Sequence, residues 1–492
     1  MSEKLNILFA AAEVVPFAKT GGLADVAGAL PKALQKLGHN IIVVMPRYYS
    51  IDKSKLQKLP APLGVPMGIM GEFWAAVYKT TLPQSEVEIY FIDYEHYFGR
   101  SGLYEDDNGG YHDNDNRFVF FSKAALQLCK MLQFTPDIIH ANDWHTAAMP
   151  ILAKTRFVHD FGFAASVLTI HNLQHQGHFY KGVMDVMEVG WEYFNPHSLE
   201  SLDGVNILKG GIAEADAITT VSKKYAQEIQ TPEFGFGLDG HIRAHNYKLF
   251  GILNGVDYAE WNPSIDTFLA QNYDVGNIQG KLTCKRNLQK YFNLSVRDDV
   301  PLIGFVGRFV EQKGIELIAR VINGLLNHDI QVVMLGTGES WAEEFFSEVA
   351  YFRDNFALHV GYSNELAHKI EAGCDMFLMP SLFEPCGLNQ IYSLRYGTLP
   401  IVRATGGLDD TIVNFDEEHH IGNGFKFYDA TQEALYNTVL WAVDVYNNNK
   451  EAFERMQKFA MQEHFSWEDS AKEYEKVYDF ALEHKRGENY GI

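Results

Sequence analysis

The chain has 492 residues, which is more than one compact hydrophobic core usually holds, so we expect two large domains. Hydrophobic residues make up 47% and charged residues 21%, a composition that argues against widespread disorder. The net charge of −22 disfavours nucleic acid and anionic membranes as partners, so a phosphate site would need a few local bases and backbone N–H groups.

The cellular compartment is predicted from the cysteines and the N-terminus. The cysteines are widely spaced, with no C-x-x-C pair, which fits a reducing compartment better than a disulfide framework. Residues 1–12 lack the basic region and the longer apolar core of a signal peptide. No stretch approaches the roughly 20 apolar residues of a membrane span. We expect a cytoplasmic protein with no membrane partner.

The first half of the chain alternates strand-like and helix-like segments. Residues 5–12 form an apolar run typical of a strand buried on both faces, and a loop ending in Gly21-Gly22 follows. Residues 23–37 place an apolar stripe on one helix face, and the next strand is predicted at 41–45. This pattern is a βαβ unit of a doubly wound sheet. Further strands are predicted at 87–92, 138–140, 165–170 and 217–221.

The second half repeats this alternation after a boundary near residue 255, where turn residues gather and a more polar stretch, 264–300, begins. Its strands are predicted at 302–306, 331–335, 358–360, 376–379 and 399–402, and its helices at 315–326, 341–353, 364–372, 388–396 and 432–446. Two doubly wound halves imply a cleft at the carboxyl ends of both sheets, where open α/β sheets bind ligands.

Two loops that should face this cleft carry basic residues beside glycine. Lys19-Thr20-Gly21-Gly22 follows the first strand, and the helix after it directs its N-terminal N–H groups toward an anion. A tight turn with a solvated lysine is the alternative. In the second half, Arg308 and Lys313 bracket a loop ending at Gly314, a suitable cradle for a pyrophosphate. The alternative there is a surface salt bridge.

A third loop, Pro380 to Leu388, combines one carboxylate with a helix that starts at glycine. Its Gly387 and Leu388 N–H groups could take phosphate oxygens while Glu384 accepts hydrogen bonds from sugar hydroxyls. Cys386 is either a reactive thiol near a helix N-terminus or a packed side chain. The segment Thr405 to Asp410 follows the next strand and is a further loop of close approach.

Two more loops follow strands of the first half, His140 to His145 and Thr169 to Gln174. Asp143 and His171 could stabilise positive charge at a reacting sugar carbon or bind hydroxyl groups. Each could equally be a satisfied buried polar group. All these loops fall after strands, on the face where the cleft must lie, and this shared position favours a common function.

Several segments match signatures of one known family. They are Lys19–Val26, Asn142–His145, Thr169–Leu173, Gly251–Asp257, Glu384–Leu388 and Tyr396–Pro400. On these motifs the chain resembles the bacterial glycogen synthases and plant starch synthases, the retaining enzymes of glycosyltransferase family 5. The match runs from about residue 5 to residue 470 in the right order, which makes it highly specific.

The resemblance implies a GT-B fold, in which two doubly wound, Rossmann-like α/β domains face a deep interdomain cleft. It implies an acceptor-side domain over residues 1–257 and a donor-side domain over residues 258–466. A C-terminal helix over residues 467–485 is expected to pack back on the first domain.

The resemblance also implies retaining transfer of glucose, usually from ADP-glucose in bacteria, to the non-reducing end of an α-1,4-glucan. The leaving phosphate would help to deprotonate the acceptor on the same face. A nucleotide-glucose donor and an α-1,4-glucan acceptor are therefore the expected partners. No metal and no cofactor are expected, because basic residues and helix N-termini would neutralise the leaving diphosphate.

The family's functional residues map onto this sequence position by position. The implied catalytic residues are Asp143, His171, Glu384, Arg308 and Lys313. The implied donor-binding residues are Lys19, Gly21, Gly22, Asp25, Asn254, Tyr362, Gly387, Leu388 and Thr405, and the implied acceptor-binding residues are Trp144 and His145. Two positions depart from the commonest pattern: Asn389 replaces a frequent threonine, which could alter phosphate contacts, and His175 could alter contacts to the sugar.

Other functions stay open at this point. UDP-glucose as donor, or a small acceptor, would keep the same fold and chemistry. A nucleotide-sugar epimerase and a non-enzymatic glucan-binding relative are less favoured. Asp113-Asn114-Asp115 has the D-x-D form of a metal site but lies in a polar, glycine-rich stretch. His171 and His175 have the spacing of a zinc-protease motif, yet residue 172 is Asn rather than Glu.

Overall fold

This computed structural model describes residues 4–490, with side chains through residue 487, and the chain forms two compact units. The first unit runs to Leu253 and resumes at Trp467, and the second runs from Asn254 to Ser466. Each is a Rossmann-like parallel sheet flanked by helices.

In chain order the strands of the first unit are β1 (Asn6–Ala10), β2 (Asn40–Pro46), β3 (Gln57–Lys58), β4 (Leu63–Pro66), β5 (Glu72–Thr81), β6 (Glu88–Asp93), β7 (Glu105–Asp106), β8 (Gly109–Gly110), β9 (Ile138–Asn142), β10 (Ala165–Ile170), β11 (His178–Tyr180), β12 (Glu200–Ser201), β13 (Gly204–Asn206), β14 (Ala217–Thr220) and β15 (Leu249–Gly251). The main sheet of this unit has the order β15-β14-β10-β9-β1-β2-β6-β5-β3, with β4 added beside β5. The strands from β15 to β6 are parallel, and β3, β4 and β5 form an antiparallel edge.

Helices cover this sheet, and the C-terminal helix packs with them. Its Tyr478 hydroxyl lies 2.8 Å from His140 Nδ1 in β9, and its Ser470 hydroxyl donates to Leu253 O at 2.7 Å. The α-helices of the first unit are Gly22–Lys36, Glu95–Phe98, Asn114–Leu132, Asp143–Thr146, Ala148–Lys154, Val158–Phe161, Val183–Met187, Ile207–Glu214, Lys223–Glu228, Asp239–Ala244 and Trp467–Tyr490.

The strands of the second unit are β16 (Leu302–Val306), β17 (Gln331–Gly336), β18 (Phe356–Val360), β19 (Met376–Met379), β20 (Leu399–Arg403) and β21 (Phe425–Phe427). They form a parallel sheet of order β18-β17-β16-β19-β20-β21. Its α-helices are Gln279–Tyr291, Ile315–Leu325, Ser340–Phe352, Asn364–Gly373, Asn389–Arg395, Gly406–Thr411, Gln432–Asn448 and Lys450–Gln462.

The buried strands explain why sequence periodicity found these elements. Asn6–Ala10 and Ala165–Ile170 are buried almost throughout, because helices cover both faces of a parallel sheet. The first strand was predicted to extend to Ala12, but pairing ends at Ala10 and the loop begins there. The antiparallel edge was not predicted, because β5 alternates exposed and buried residues and has no continuous apolar run.

The structure also bears on membrane association. Within residues 4–490, no helix is both long enough and apolar enough to cross a bilayer.

Candidate active site

Three predicted loops of the first unit begin at the same edge of its sheet. They follow β1, β9 and β10, which are neighbouring parallel strands. Because parallel strands end at one edge, the residues that follow them are brought together although they are far apart in sequence. The loops carry Lys19, Asp143 and His171 respectively.

Asp143 is a buried acid held in a strained backbone conformation. Its φ is 54°, in the left-handed region that few non-glycine residues occupy. Its Oδ1 accepts from the His171 N–H at 2.7 Å, which joins the loops after β9 and β10. Burial raises the pKa of Asp143 to about 7, although these amide hydrogen bonds oppose the rise. The carboxyl group is therefore only partly ionised at neutral pH.

His171 is a neutral hydrogen-bonding group at this edge. Its Nε2 donates to Asn142 Oδ1 at 2.9 Å, and Asn142 Nδ2 donates to Ala10 O at 3.0 Å, so the side chain is tied to β1 through β9. Burial lowers the pKa of His171 to about 3. With Nε2 protonated, Nδ1 is left as an acceptor, and the imidazole carries no charge at neutral pH.

The residues predicted to bind the acceptor, Trp144 and His145, are largely buried. Their rings lie 4.3 Å apart, and Tyr104 stacks on His145 at 4.7 Å. Little of either ring is exposed for stacking against a sugar. His145 Nδ1 is buried and has no hydrogen-bond partner within the described residues. Because a buried polar atom normally has a partner, this nitrogen is a candidate contact for a ligand hydroxyl.

In the Lys19-Thr20-Gly21-Gly22 loop, two backbone N–H groups already have a partner within the protein. The Glu13 carboxylate already accepts hydrogen bonds from the Thr20 and Gly21 N–H groups. Lys19 Nζ lies 2.7 Å from Asp25 Oδ1, with both side chains partly exposed. A Cβ added at Gly21 or Gly22 would meet no atom of residues 4–490 within 4 Å, so the packing of this part of the chain does not require these glycines. The space beside them is open.

In the second unit, the loops after β16, β19 and β20 contact one another through backbone atoms. Leu382 N–H donates to Gln312 O at 2.9 Å, and Gly407 N–H donates to Glu384 O at 3.1 Å. Gly314 has a φ of 70°, and a Cβ there would meet Pro380 O at 2.1 Å. The loops approach so closely that a side chain does not fit at this glycine.

The predicted catalytic residues on these loops differ in their exposure and in their ion pairs. Lys313 Nζ donates to Glu384 Oε2 at 2.6 Å, and the Ser381 hydroxyl donates to the same oxygen at 3.0 Å. Glu384 is buried, whereas Arg308 is exposed and forms no ion pair within the described residues. The Lys313 charge is partly neutralised by Glu384, and the Arg308 charge is available to an anion.

The remaining predicted donor residues lie along the same edge of the second sheet. Tyr362 follows β18 and is 83% exposed. Thr405 occupies the position before the helix that begins at Gly406 and is fully buried. Gly387 and Leu388 directly precede the helix Asn389–Arg395, with Gly387 at a φ of 70°. Asn254 is buried beside Cys386, and its Oδ1 has no hydrogen-bond partner within the described residues.

Two positions singled out in the sequence have structural explanations. Asn389 Nδ2 donates to Val306 O at 2.8 Å, so it joins the end of β16 to the helix that begins at Asn389. Cys386 is buried, and burial raises the pKa of its thiol to about 12, which favours the packed side chain over the reactive thiol.

The structure also shows what the side chains of the D-x-D segment, Asp113-Asn114-Asp115, contact. Asp113 forms a bidentate ion pair with Arg100 at 2.6 and 2.7 Å, and Asn114 accepts from Arg117 at 2.6 Å. The side chains of the D-x-D segment are thus engaged in protein contacts. Among the described residues, no group of three or more His, Cys, Asp or Glu side chains is arranged to hold a metal ion.

Sequence reasoning missed three residues that organise the site: Glu13, Asn142 and Tyr104. Glu13 and Tyr104 hold the loop after β1, and Asn142 holds His171. Glu13 carries the clearest signal, since it is a lone charge inside the apolar stretch that runs from β1 to Val15. Tyr104 carries no signal, because it comes from a distant loop.

Comparisons with known proteins agree along the whole chain. The family described as "Starch synthase catalytic domain" matches residues 6–244, and "Glycosyl transferases group 1" matches residues 289–461. The chain is 54% identical to glycogen synthase 1 of Geobacter sulfurreducens over 98% of each chain. It is 44% identical to the glycogen synthase of Bacillus cereus over 97% of this chain and 100% of the relative.

Solved structures give the same result for the fold. The catalytic domain of starch synthase IV from Arabidopsis thaliana, bound to ADP and acarbose, is 32% identical and superimposes with a TM-score of 0.90 over 98% of this chain and 100% of that domain. Sucrose-phosphate synthase from Thermosynechococcus elongatus, at 16% identity and a TM-score of 0.60 over 97% and 98% of the two chains, shares the fold. Both confirm the predicted GT-B architecture.

Proposed function

The chain belongs to the family of glycogen and starch synthases, and we propose that it lengthens an α-1,4-glucan with glucose from a nucleotide-glucose donor, preferably ADP-glucose. The observation that carries this proposal is the full-length similarity, 54% identity over 98% of both chains, which spans both units. The ADP bound to starch synthase IV of Arabidopsis thaliana favours the adenine nucleotide, and its acarbose favours an oligosaccharide acceptor.

The proposed reaction replaces the bond between the anomeric carbon and the diphosphate by a bond to an acceptor hydroxyl. The acceptor proton passes to the leaving phosphate, and the configuration at the anomeric carbon is retained. Negative charge develops on the diphosphate as it leaves, so nearby cations stabilise the transition state more than the ground state. We assign this role to Arg308, Lys313 and Lys19, of which Arg308 is exposed and forms no ion pair within the described residues.

The sugar contacts are assigned to neutral and acidic groups. Glu384 would accept from glucose hydroxyls while Lys313 holds it, and His171 would accept through Nδ1. The unpartnered Asn254 Oδ1 and His145 Nδ1 would gain partners from sugar hydroxyls. Tyr362 would stack on the base, since most of its ring is exposed. The cytoplasm and the absence of nucleic-acid partners stay predictions.

The test is an incorporation assay with purified protein and a glycogen primer. Radiolabelled ADP-glucose and UDP-glucose are supplied in parallel, and the label in precipitated glycogen is counted. We expect incorporation from ADP-glucose to exceed that from UDP-glucose. The reverse preference would correct the donor assignment. Transfer to sucrose-forming or lipid acceptors without incorporation into glycogen would replace the glucan by a small acceptor, and nucleotide release alone would indicate a different enzyme class.

A further inference from the structure

Glu13 is a buried carboxylate that the proposed reaction does not use. It lies three residues after β1, at the edge that carries Asp143 and His171, and is only 3% exposed. A buried carboxylate is costly unless hydrogen bonds compensate for lost hydration. No lysine or arginine forms an ion pair with Glu13 within the described residues, so neutral donors must provide that compensation.

Four donors converge on the two oxygens of Glu13. Oε2 accepts from the Thr20 N–H and from the Gly21 N–H at 3.2 Å. Oε1 accepts from the Thr20 hydroxyl and from the Tyr104 hydroxyl, both at 2.6 Å. The two amides precede the helix Gly22–Lys36, where N–H groups attract anions. Glu13 therefore occupies the amides that an empty glycine loop would offer to a phosphate.

This arrangement holds the backbone of the loop more firmly than the Lys19 side chain. Thr20 and Gly21 are held by Glu13, whereas Lys19 extends from the same loop with its side chain 49% exposed. Lys19 is held by Asp25 through a single contact of 2.7 Å that a diphosphate could replace. The starting point of the Lys19 side chain is thus determined before any donor arrives.

Glu13 is also connected, through Tyr104, to the segment that carries Asp143. Tyr104, which donates to Glu13, stacks on His145, two residues beyond Asp143. The negative charge of Glu13 adds to the effect of burial in raising the pKa of Asp143. Two further titratable groups lie near Asp143. His171, on the loop after β10, is kept neutral by burial, and burial raises the pKa of Tyr104 well above its usual value.

We propose that Glu13 is a positioning residue for glucosyl transfer: it anchors the loop that carries Lys19 by binding the Thr20 and Gly21 N–H groups. The proposal rests on the proposed function, because it assigns Lys19 to the leaving diphosphate. It also restricts the loop's contact with the donor to Lys19 and the open space beside Gly21 and Gly22, since the Thr20 and Gly21 N–H groups are already bound.

The test compares Glu13→Gln with wild type in three measurements. We expect kcat/KM for ADP-glucose to fall by about 10- to 100-fold, because the amide can accept from fewer donors and its NH₂ group faces two of them. Hydrogen exchange at Thr20 and Gly21 should become at least about tenfold faster. The acidic limb of the pH–rate profile should move to lower pH, because the charge that raises the Asp143 pKa is gone.

Controls separate positioning from general destabilisation. Glu188→Gln removes a carboxylate that pairs with the buried Lys123 at 2.8 Å, and it should lower the melting temperature without changing the pH–rate profile. If Glu13→Gln does not fold, Thr20→Val and Tyr104→Phe each remove one donor and should lower kcat/KM by about 3- to 10-fold. Glu13→Asp keeps the charge and should retain the position of the acidic limb.

Unchanged kcat/KM and pH profile in a folded Glu13→Gln protein would overturn the proposal, as would unchanged exchange at Thr20 and Gly21. A fall in melting temperature alone would assign Glu13 a purely structural role and would also overturn it. If wild type transfers no glucose from any nucleotide donor, the proposed function fails instead. The exchange measurement needs no substrate and still tests the anchor in that case.

Discussion

The carboxyl edges of the two sheets are prepared for a ligand in different ways. In the first unit, buried carboxylates accept hydrogen bonds from backbone amides: Glu13 from the Gly21 N–H and Asp143 from the His171 N–H. In the second unit, backbone contacts join the loops, and two large side chains, Arg308 and Tyr362, stay exposed. The first edge is rich in internally bonded groups, and the second keeps its charge and its aromatic ring available.

This difference fits the roles proposed for the two edges in the reaction. A group that neutralises a leaving diphosphate must be free to contact it, which fits the exposed Arg308. A group that acts on the sugar carbon benefits from burial, because electrostatic interactions are stronger where water is excluded. Asp143 fits that requirement, with a carboxyl pKa of about 7 that reflects its burial.

The largest expected effect tests the exposed cation of the second edge. Arg308→Ala should lower kcat by about 100-fold or more, because charge on the leaving diphosphate would lose a stabilising partner in the transition state. Steady-state kinetics with ADP-glucose and glycogen measure it. Arg320→Ala, at another exposed arginine of the same unit, is the matched control and should keep wild-type kinetics. Equal behaviour of the two variants would remove the assignment of free charge to this edge.

An intermediate effect tests the buried acid of the first edge. Asp143→Asn should lower kcat by about 10- to 100-fold, because a neutral amide stabilises positive charge at the sugar carbon less well. Wild-type kcat should rise with pH through about 7 as the carboxyl group ionises, and this limb should be absent in the variant. Kinetics from about pH 5 to pH 8, where most proteins are most stable, decide this. A limb that persists in the variant would assign it to another group.

Asp143→Asn should also change how the stability of the protein depends on pH. The pKa of Asp143 is raised in the folded state from 3.8 to about 7, so folding favours the protonated acid. The stability associated with that proton is fully present below the unfolded pKa and is lost as pH rises through about 7. The melting temperature of Asp143→Asn should therefore exceed that of wild type by a margin that grows over this interval. A constant margin would contradict the raised pKa.

The smallest expected effect concerns Cys386, where the packed second edge should protect a side chain. Burial raises its thiol pKa to about 12, so little thiolate forms at pH 8. Iodoacetamide should leave Cys386 of the native protein unlabelled and its activity intact, while unfolded protein should be labelled, as measured by mass spectrometry. Rapid labelling of the native protein would show that this edge is less closely packed than its backbone contacts indicate.

The sequence by itself determined the parallel core strands and the fold class, and it predicted most residues of the candidate site. Strands such as Leu302–Val306 and Met376–Met379 are found at their predicted bounds, because a strand covered on both faces must be apolar along its whole length. The loops after them were predictable for the same reason, since the end of a parallel strand fixes the edge on which its following residues lie. The resemblance then supplied the roles of those residues.

Only the tertiary structure decided what each of these side chains contacts. Glu13 binds Thr20, which is 7 residues away in sequence, and Tyr104, which is 91 residues away. No local periodicity of the sequence indicates such contacts. The pairing of Lys313 with Glu384 spans 71 residues. The burial of Asp143 likewise depends on three adjacent strands, β1, β9 and β10, and this burial is what raises its pKa to about 7.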